Sequence, residues 1–253
     1  MYAALSADSD CLKKLLDKGA NPNAKNSGGV TALMLAAGEY SKVKPLISKG
    51  ADVNAVSSSG TTVLIVAAGY AGGADTVKLL LEKGADATVK DKKGRTALLN
   101  AAISGDLDII NALLAKGADP NATSEGETPL MYAATYKHID VVRLLLARGA
   151  DPNAKDGNGF PVLMWANDLD SAEIPRMLLT KGANPNSTAN NGYTPLMWAC
   201  LSESGNCELV KALIEKGADV NAKANNGITA LTLARKRGDT AIVKLLKEAG
   251  VKE

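Results

Sequence analysis

Across 253 residues, 29 lysines and arginines against 27 acidic residues leave a formal net charge of +2, which excludes a surface built to neutralise many phosphates. Hydrophobic residues make up 46% and charged residues 22%, a globular rather than a disordered composition. Aromatics are only 4%, with a single Phe, so the core must be carried by Ala and Leu, which let helices approach closely. One His excludes any site that needs two. No run approaches the roughly 18 apolar residues of a membrane span. The opening MYAALSADSD lacks a basic stretch and meets Asp8 and Asp10 at once, so no secretory leader is expected and a cytoplasmic location is.

In chain order, the first element is Met1-Tyr2-Ala3-Ala4. It aligns with Met131-Tyr132-Ala133-Ala134, so the chain opens inside a first helix. CLKKLLDKG (11–19) follows as a second helix, and GANPN (19–23) leads out of it. The same two helical phrases then recur. The first reads TALMLAA (31–37), TVLIVAA (62–68), TALLNAA (96–102), TPLMYAA (128–134), PVLMWAN (161–167), TPLMWAC (194–200) and TALTLAR (229–235). The second reads VKLLLEKG (77–84), IINALLAKG (109–117), VVRLLLARG (141–149) and LVKALIEKG (209–217). After each comes Gly-Ala-x-x-Asn or a variant of it. The closing glycines, from Gly19 to Gly250, are spaced by 31, 34, 33, 32, 33, 35 and 33 residues.

The residues of one copy explain its structure. Thr128 suits an N-cap, and Pro129 at the first helical position loses no needed hydrogen bond. At about 100° per residue, Leu130, Ala133 and Ala134 share one face, which packs on the second helix. A basic residue and Gly, as in Lys18-Gly19, Lys49-Gly50 and Arg148-Gly149, then close that helix. Neither helix can bury its apolar face alone, so neighbouring copies must stack.

These phase-locked phrases resemble ankyrin repeats. The resemblance covers the whole chain in eight copies, near 1–23, 24–54, 55–88, 89–121, 122–153, 154–186, 187–221 and 222–253. It implies an all-α solenoid of helix-turn-helix units with hairpin-like loops, forming a single domain over 1–253. One departure is systematic. The His that follows Thr-Pro-Leu in the family is replaced by Met34, Met131, Met164 and Met197, and elsewhere by Ile65, Leu99 and Thr232. That version resembles bacterial ankyrin-repeat proteins.

Several copies are irregular. The second loses two residues in GEYSKVKPLISKG, read as a second helix two residues short, and places Pro45 inside that helix. This makes it the expected weak point. The third gains a residue near Ala71-Gly72-Gly73. The sixth carries Pro175 near the start of its second helix, where Pro is tolerable, and the seventh gains two in SESGN (202–206). The last is polar, with Arg235, Lys236, Arg237, Lys244 and Lys247, as a solvated end should be.

Chemistry-bearing residues are sparse. His138 follows Lys137 at a turn where the family carries Gly-His. Cys11, Cys200 and Cys207 align with Val141, Ala134 and Ile139, so all three are expected as mostly buried thiols without disulfide or metal. Asp and Asn recur at the loops as turn formers. No phosphate-binding, zinc or triad phrase is present. No catalytic residue, cofactor or metal is therefore expected.

The same helical phase locates a surface. The fifth residue of the first phrase lies about 200° from the packed Leu, on the side that the family resemblance assigns to a concave groove. Its occupants are Leu35, Val66, Asn100, Tyr132, Trp165, Trp198 and Leu233. At the adjoining loop stand Val30, Thr61, Arg95, Glu127, Phe160, Tyr193 and Ile228. Rings concentrate in repeats 5 to 7: Tyr132, Tyr136, Phe160, Trp165, Tyr193 and Trp198 include both tryptophans and the only Phe. They are the candidate partner-binding residues, since Trp and Tyr are enriched at binding hot spots. The competing reading is that they cover neighbouring helices and stiffen the stack.

The function these features imply is a non-catalytic scaffold, monomeric, binding a protein partner on its concave face. An alternative is a regulatory or targeting domain cut from a larger enzyme or effector. A small-ligand receptor or enzyme is a minor alternative. Nucleic-acid binding is not expected, because these groove positions hold one Arg and one Glu, and no basic amphipathic helix supports a membrane role.

Overall fold

The computed structural model describes residues 1–5, 8–166, 171–201 and 206–252. Among them sixteen helices follow one another in pairs, within two compact units, Met1–Ser124 and Glu125–Glu253. The first unit holds α1 (Tyr2–Leu5), α2 (Ser9–Asp17), α3 (Ala32–Leu35), α4 (Tyr40–Ser48), α5 (Val63–Ala67), α6 (Ala74–Glu82), α7 (Ala97–Ser104) and α8 (Leu107–Ala115). The second holds α9 (Pro129–Thr135), α10 (Ile139–Ala147), α11 (Val162–Trp165), α12 (Glu173–Thr180), α13 (Pro195–Leu201), α14 (Cys207–Glu215), α15 (Ala230–Arg237) and α16 (Thr240–Glu248). Within each unit first helices pack on first helices and second helices on second helices of the adjacent pair. The loops between pairs hold only isolated bridges, such as Lys25 with Thr31, among the described residues. The all-α solenoid expectation holds.

The local chemistry follows the phrases. Thr31, Thr62, Thr96, Thr128 and Thr229 cap their helices, each hydroxyl accepting the amide three residues on. Pro129 starts α9 as expected. Where Pro161 replaces the Thr, no side chain caps α11, which runs only four residues. Leu130, Ala133 and Ala134 are all buried. At the other end Gly50 donates to the Ile47 carbonyl and Ala51 to that of Leu46, the paired closure of a helix by a left-handed residue. Gly50 has φ 83° and open space where a Cβ would stand, so conformation alone calls for Gly there. Gly126 answers a different need: a Cβ on it would sit 2.5 Å from the Gly157 nitrogen of the next loop.

The loop acids and amides divide their work. Asp52 builds its own turn, accepting the Asn54 amide at 2.9 Å. Asn23 reaches the next repeat: it donates to the Gly50 carbonyl at 2.9 Å and accepts the Asp52 amide at 2.7 Å. Asn54, Asn153 and Asn186 make the same two bonds one repeat further on. These residues are thus inter-repeat clamps, a role the turn-former reading of the sequence missed.

The irregular copies differ in part from expectation. The second copy does not shorten its second helix: α4 has nine residues, like α2, α6 and α8. The deletion instead leaves α3 with four residues, against eight in α7. The second helix must keep its length to present its apolar stripe, so the loss falls on the first helix and the turn. Pro45 does lie inside α4. Pro175 lies near the start of α12, and Gly73 of the third copy's enlarged turn stands at the N-cap of α6. The insertion in the seventh copy falls outside the described residues except for Asn206, which caps α14. The basic residues of α15 and α16 are exposed, as expected of the last copy.

Candidate partner-binding face

The six candidate rings all belong to the unit Glu125–Glu253. The first-helix phase places Tyr132, Trp165 and Trp198 half-buried beside the open side of their helices, as it does Leu35, Val66 and Asn100. Leu233 departs from this and is buried. The loop before α11 brings Phe160 into the same groove as both tryptophans, and Tyr193, in the next such loop, is likewise half-buried.

Packing joins four of the six. The Tyr132 ring meets Trp165 edge to face at 6.5 Å, and Phe160 meets Trp198 in the same way at 5.1 Å. Such pairs contribute about 1 kcal/mol beyond their burial. The two tryptophans do not stack on each other. They line one open groove of about 370 Å³, with Phe160, Met164 and Asp156. Tyr136 stands apart: it is exposed and stacks on His138 at 6.1 Å, at the turn into α10. Tyr193 has no ring partner among the described residues. The row is therefore Tyr132, Trp165, Phe160 and Trp198.

Two carboxylates fix these rings. Asp156 Oδ1 accepts the amides of Asn158 (2.8 Å) and Phe160 (2.9 Å), shaping the loop, while Oδ2 accepts the Trp165 indole N–H at 3.2 Å. Glu127 accepts the Tyr132 hydroxyl. Burial first, and then this bond to Glu127, push the Tyr132 phenol up to about 12, so it remains a donor at neutral pH. Asp156 was hidden in the sequence among the turn-forming acids. Its signal was the ring four residues later at Phe160, together with the indole nine residues later at Trp165.

The thiol expectation needs correction. Cys200 is buried, but Cys11 is exposed and Cys207 half-buried. The column of Cys11 and Val141 is covered from an adjacent pair, and among the described residues α2 packs on α1 of its own pair and on α4, with no second helix on its other side. Cys207 opens α14, where a first-turn side chain is less enclosed. His138 lies at a turn, as expected, at the N-cap of α10. Lys137 before it has φ 60°, the left-handed conformation that glycine takes at Gly105 and Gly238. Among the described residues no three His, Cys, Asp or Glu side chains gather as a metal site, and no helix is long and apolar enough to cross a membrane.

A family model for ankyrin repeats (three copies) matches residues 1–91, 66–156, 153–224 and 202–253. Together these matches run the length of the chain, and the protein belongs to the ankyrin-repeat family. No curated protein matches it.

Proposed function

We propose that residues 1–253 form one eight-repeat, non-catalytic scaffold that binds a protein partner on the first-helix face of its second unit. Trp165 and Trp198 are its anchors, with Phe160 and Tyr132 beside them, and Tyr193 and Tyr136 at the margin. The supporting observation is the open groove lined by both tryptophans and the only Phe of the chain. A chain this poor in rings gains little by leaving them half-exposed unless they meet something. Binding of a protein partner is also what this family typically does.

The test pairs two measurements on Trp165→Ala and Trp198→Ala, using the partner recovered on the intact chain. A hot-spot truncation costs about 2 kcal/mol or more, roughly a thirtyfold loss of affinity. The melting temperature is expected to stay near that of the parent. Early melting with normal affinity in both variants would assign the rings to stiffening the stack and overturn this reading.

A further inference from the structure

Two loops of this chain are built alike and finished differently. In KDKKGRT (90–96), Asp91 Oδ1 accepts the amides of Lys93 (2.8 Å) and Arg95 (3.0 Å). In KDGNGFP (155–161), Asp156 Oδ1 accepts those of Asn158 and Phe160 at 2.8 and 2.9 Å. Each loop thereby leaves the second carboxylate oxygen to point elsewhere. Asp91 Oδ2 takes the guanidinium of Arg95, with Nε at 2.9 Å. Burial alone would raise the Asp91 carboxyl, but the amides of Arg95 and Lys93 and that guanidinium outweigh it and hold it below the usual carboxylate range.

At the position of Arg95 the later loop has Phe160. Among the described residues Asp156 Oδ2 receives only the neutral indole N–H of Trp165, at 3.2 Å. Lys155, its neighbour in sequence, donates its ammonium to the Thr188 carbonyl at 2.7 Å instead. No cation pairs with Asp156 among the described residues. Its negative charge thus opens onto a groove walled by Phe160, Trp165 and Trp198, whose ring faces also attract cations. A second carboxylate, Glu127, sits behind the Tyr132 ring that meets Trp165.

The geometry points to an arginine side chain of the partner as the occupant of this groove, paired with Asp156 as Arg95 is paired with Asp91 and lying against the tryptophan rings. A guanidinium suits the place better than an ammonium, because it is planar, stacks on rings and bonds a carboxylate along its edge. This inference rests on the docking face proposed above and narrows its partner to one that presents a basic, arginine-bearing segment.

The chain's only two indoles both line the groove, so their N–H resonances report on it directly. The full-length protein is titrated with a capped Gly/Ser nonapeptide carrying a central arginine, and with matched peptides carrying citrulline, the neutral isostere, or lysine. The arginine peptide is expected to shift both indole signals saturably. The citrulline peptide should bind about tenfold or more weakly, and the lysine peptide should fall between them. Phe160→Arg should supply the missing cation from within, as Arg95 does, and abolish peptide binding while the melting temperature holds. Asp156→Asn should weaken binding about tenfold and serves as the second variant if Phe160→Arg does not fold. Equal binding of arginine and citrulline peptides, no indole shift with any of them, or full binding by Phe160→Arg would overturn the inference. Partner binding lost in the tryptophan variants without any indole response to arginine would leave the docking face standing and remove the arginine. The converse pair of results would remove the docking face and keep the cation site.

Discussion

Cys200 lies buried on α13, its thiol pushed up to about 12 by burial and then by the Asp239 carboxylate, so it stays protonated and inert through the neutral range. Cys11 stands exposed on α2 and Cys207 half-buried at the start of α14. An aromatic disulfide reagent at pH 8 is therefore expected to titrate Cys11 quickly, Cys207 more slowly, and Cys200 only after denaturant is added. Three thiols reacting together in the native protein would contradict this order. Alignment with Val141, Ala134 and Ile139 made all three look alike. A column states which side chains fit a position, but its burial depends on what packs from either side.

Adjacent helix pairs are joined by the asparagine clamp of Asn23, Asn54, Asn153 and Asn186 as well as by their apolar faces, and the junction after α6 has no asparagine to make it. Thr88 stands where Asn23, Asn54, Asn153 and Asn186 stand elsewhere, and its amide and hydroxyl both turn back to Asp86. A hydroxyl has neither the reach nor the paired donor and acceptor of an amide. Thr88→Asn is expected to add the two bonds to the Gly117 and Asp119 backbone, worth about 1 kcal/mol and roughly a 2–4 °C rise in melting temperature. Asn54→Thr should cost a similar amount at the preceding junction. Two neutral substitutions in thermal and urea melts would show that the clamp orients the loops without stabilising them. The helices themselves were legible at this scale, because cap, apolar stripe and closing Gly all fall within one copy. The clamp was not, since it joins residues 27 to 33 positions apart, and within a single copy an Asn beside an Asp looks like turn chemistry.

In the unit Met1–Ser124 each second helix packs on the first helix of its own pair and on the second helices of adjacent pairs, α2 on α4, α4 on α6 and α6 on α8, so stability adds up copy by copy and a defect stays where it arises. Three defects coincide in the second copy. Pro45 cannot donate to the Ser41 carbonyl inside α4. The first helix α3 is cut to four residues. Lys42 occupies the column that holds Ile109 in α8, and its side chain is only 5% exposed, paired at 2.8 Å with a Glu39 that is 55% exposed. Pro45 was legible as a break in a repeating phrase. Lys42 was not, because on one helix a lysine reads as surface until the stack shows which face is covered. The lysine is covered but its acid is solvated, so the pair stabilises little, while the burial of the ammonium costs stability that an apolar side chain in its place would not. Amide exchange is expected to open α3 and α4 well before α7 and α8, whose Leu98, Leu99, Ile109, Ile110 and Leu113 are fully buried. Lys42→Ile should then slow exchange in α3 and α4 selectively, about tenfold for each 1.4 kcal/mol gained, with little change in α7 and α8. Protection in α4 already equal to that in α8, or a Lys42→Ile effect spread evenly over the unit, would mean that the unit opens as one block and that the second copy is not its weak point.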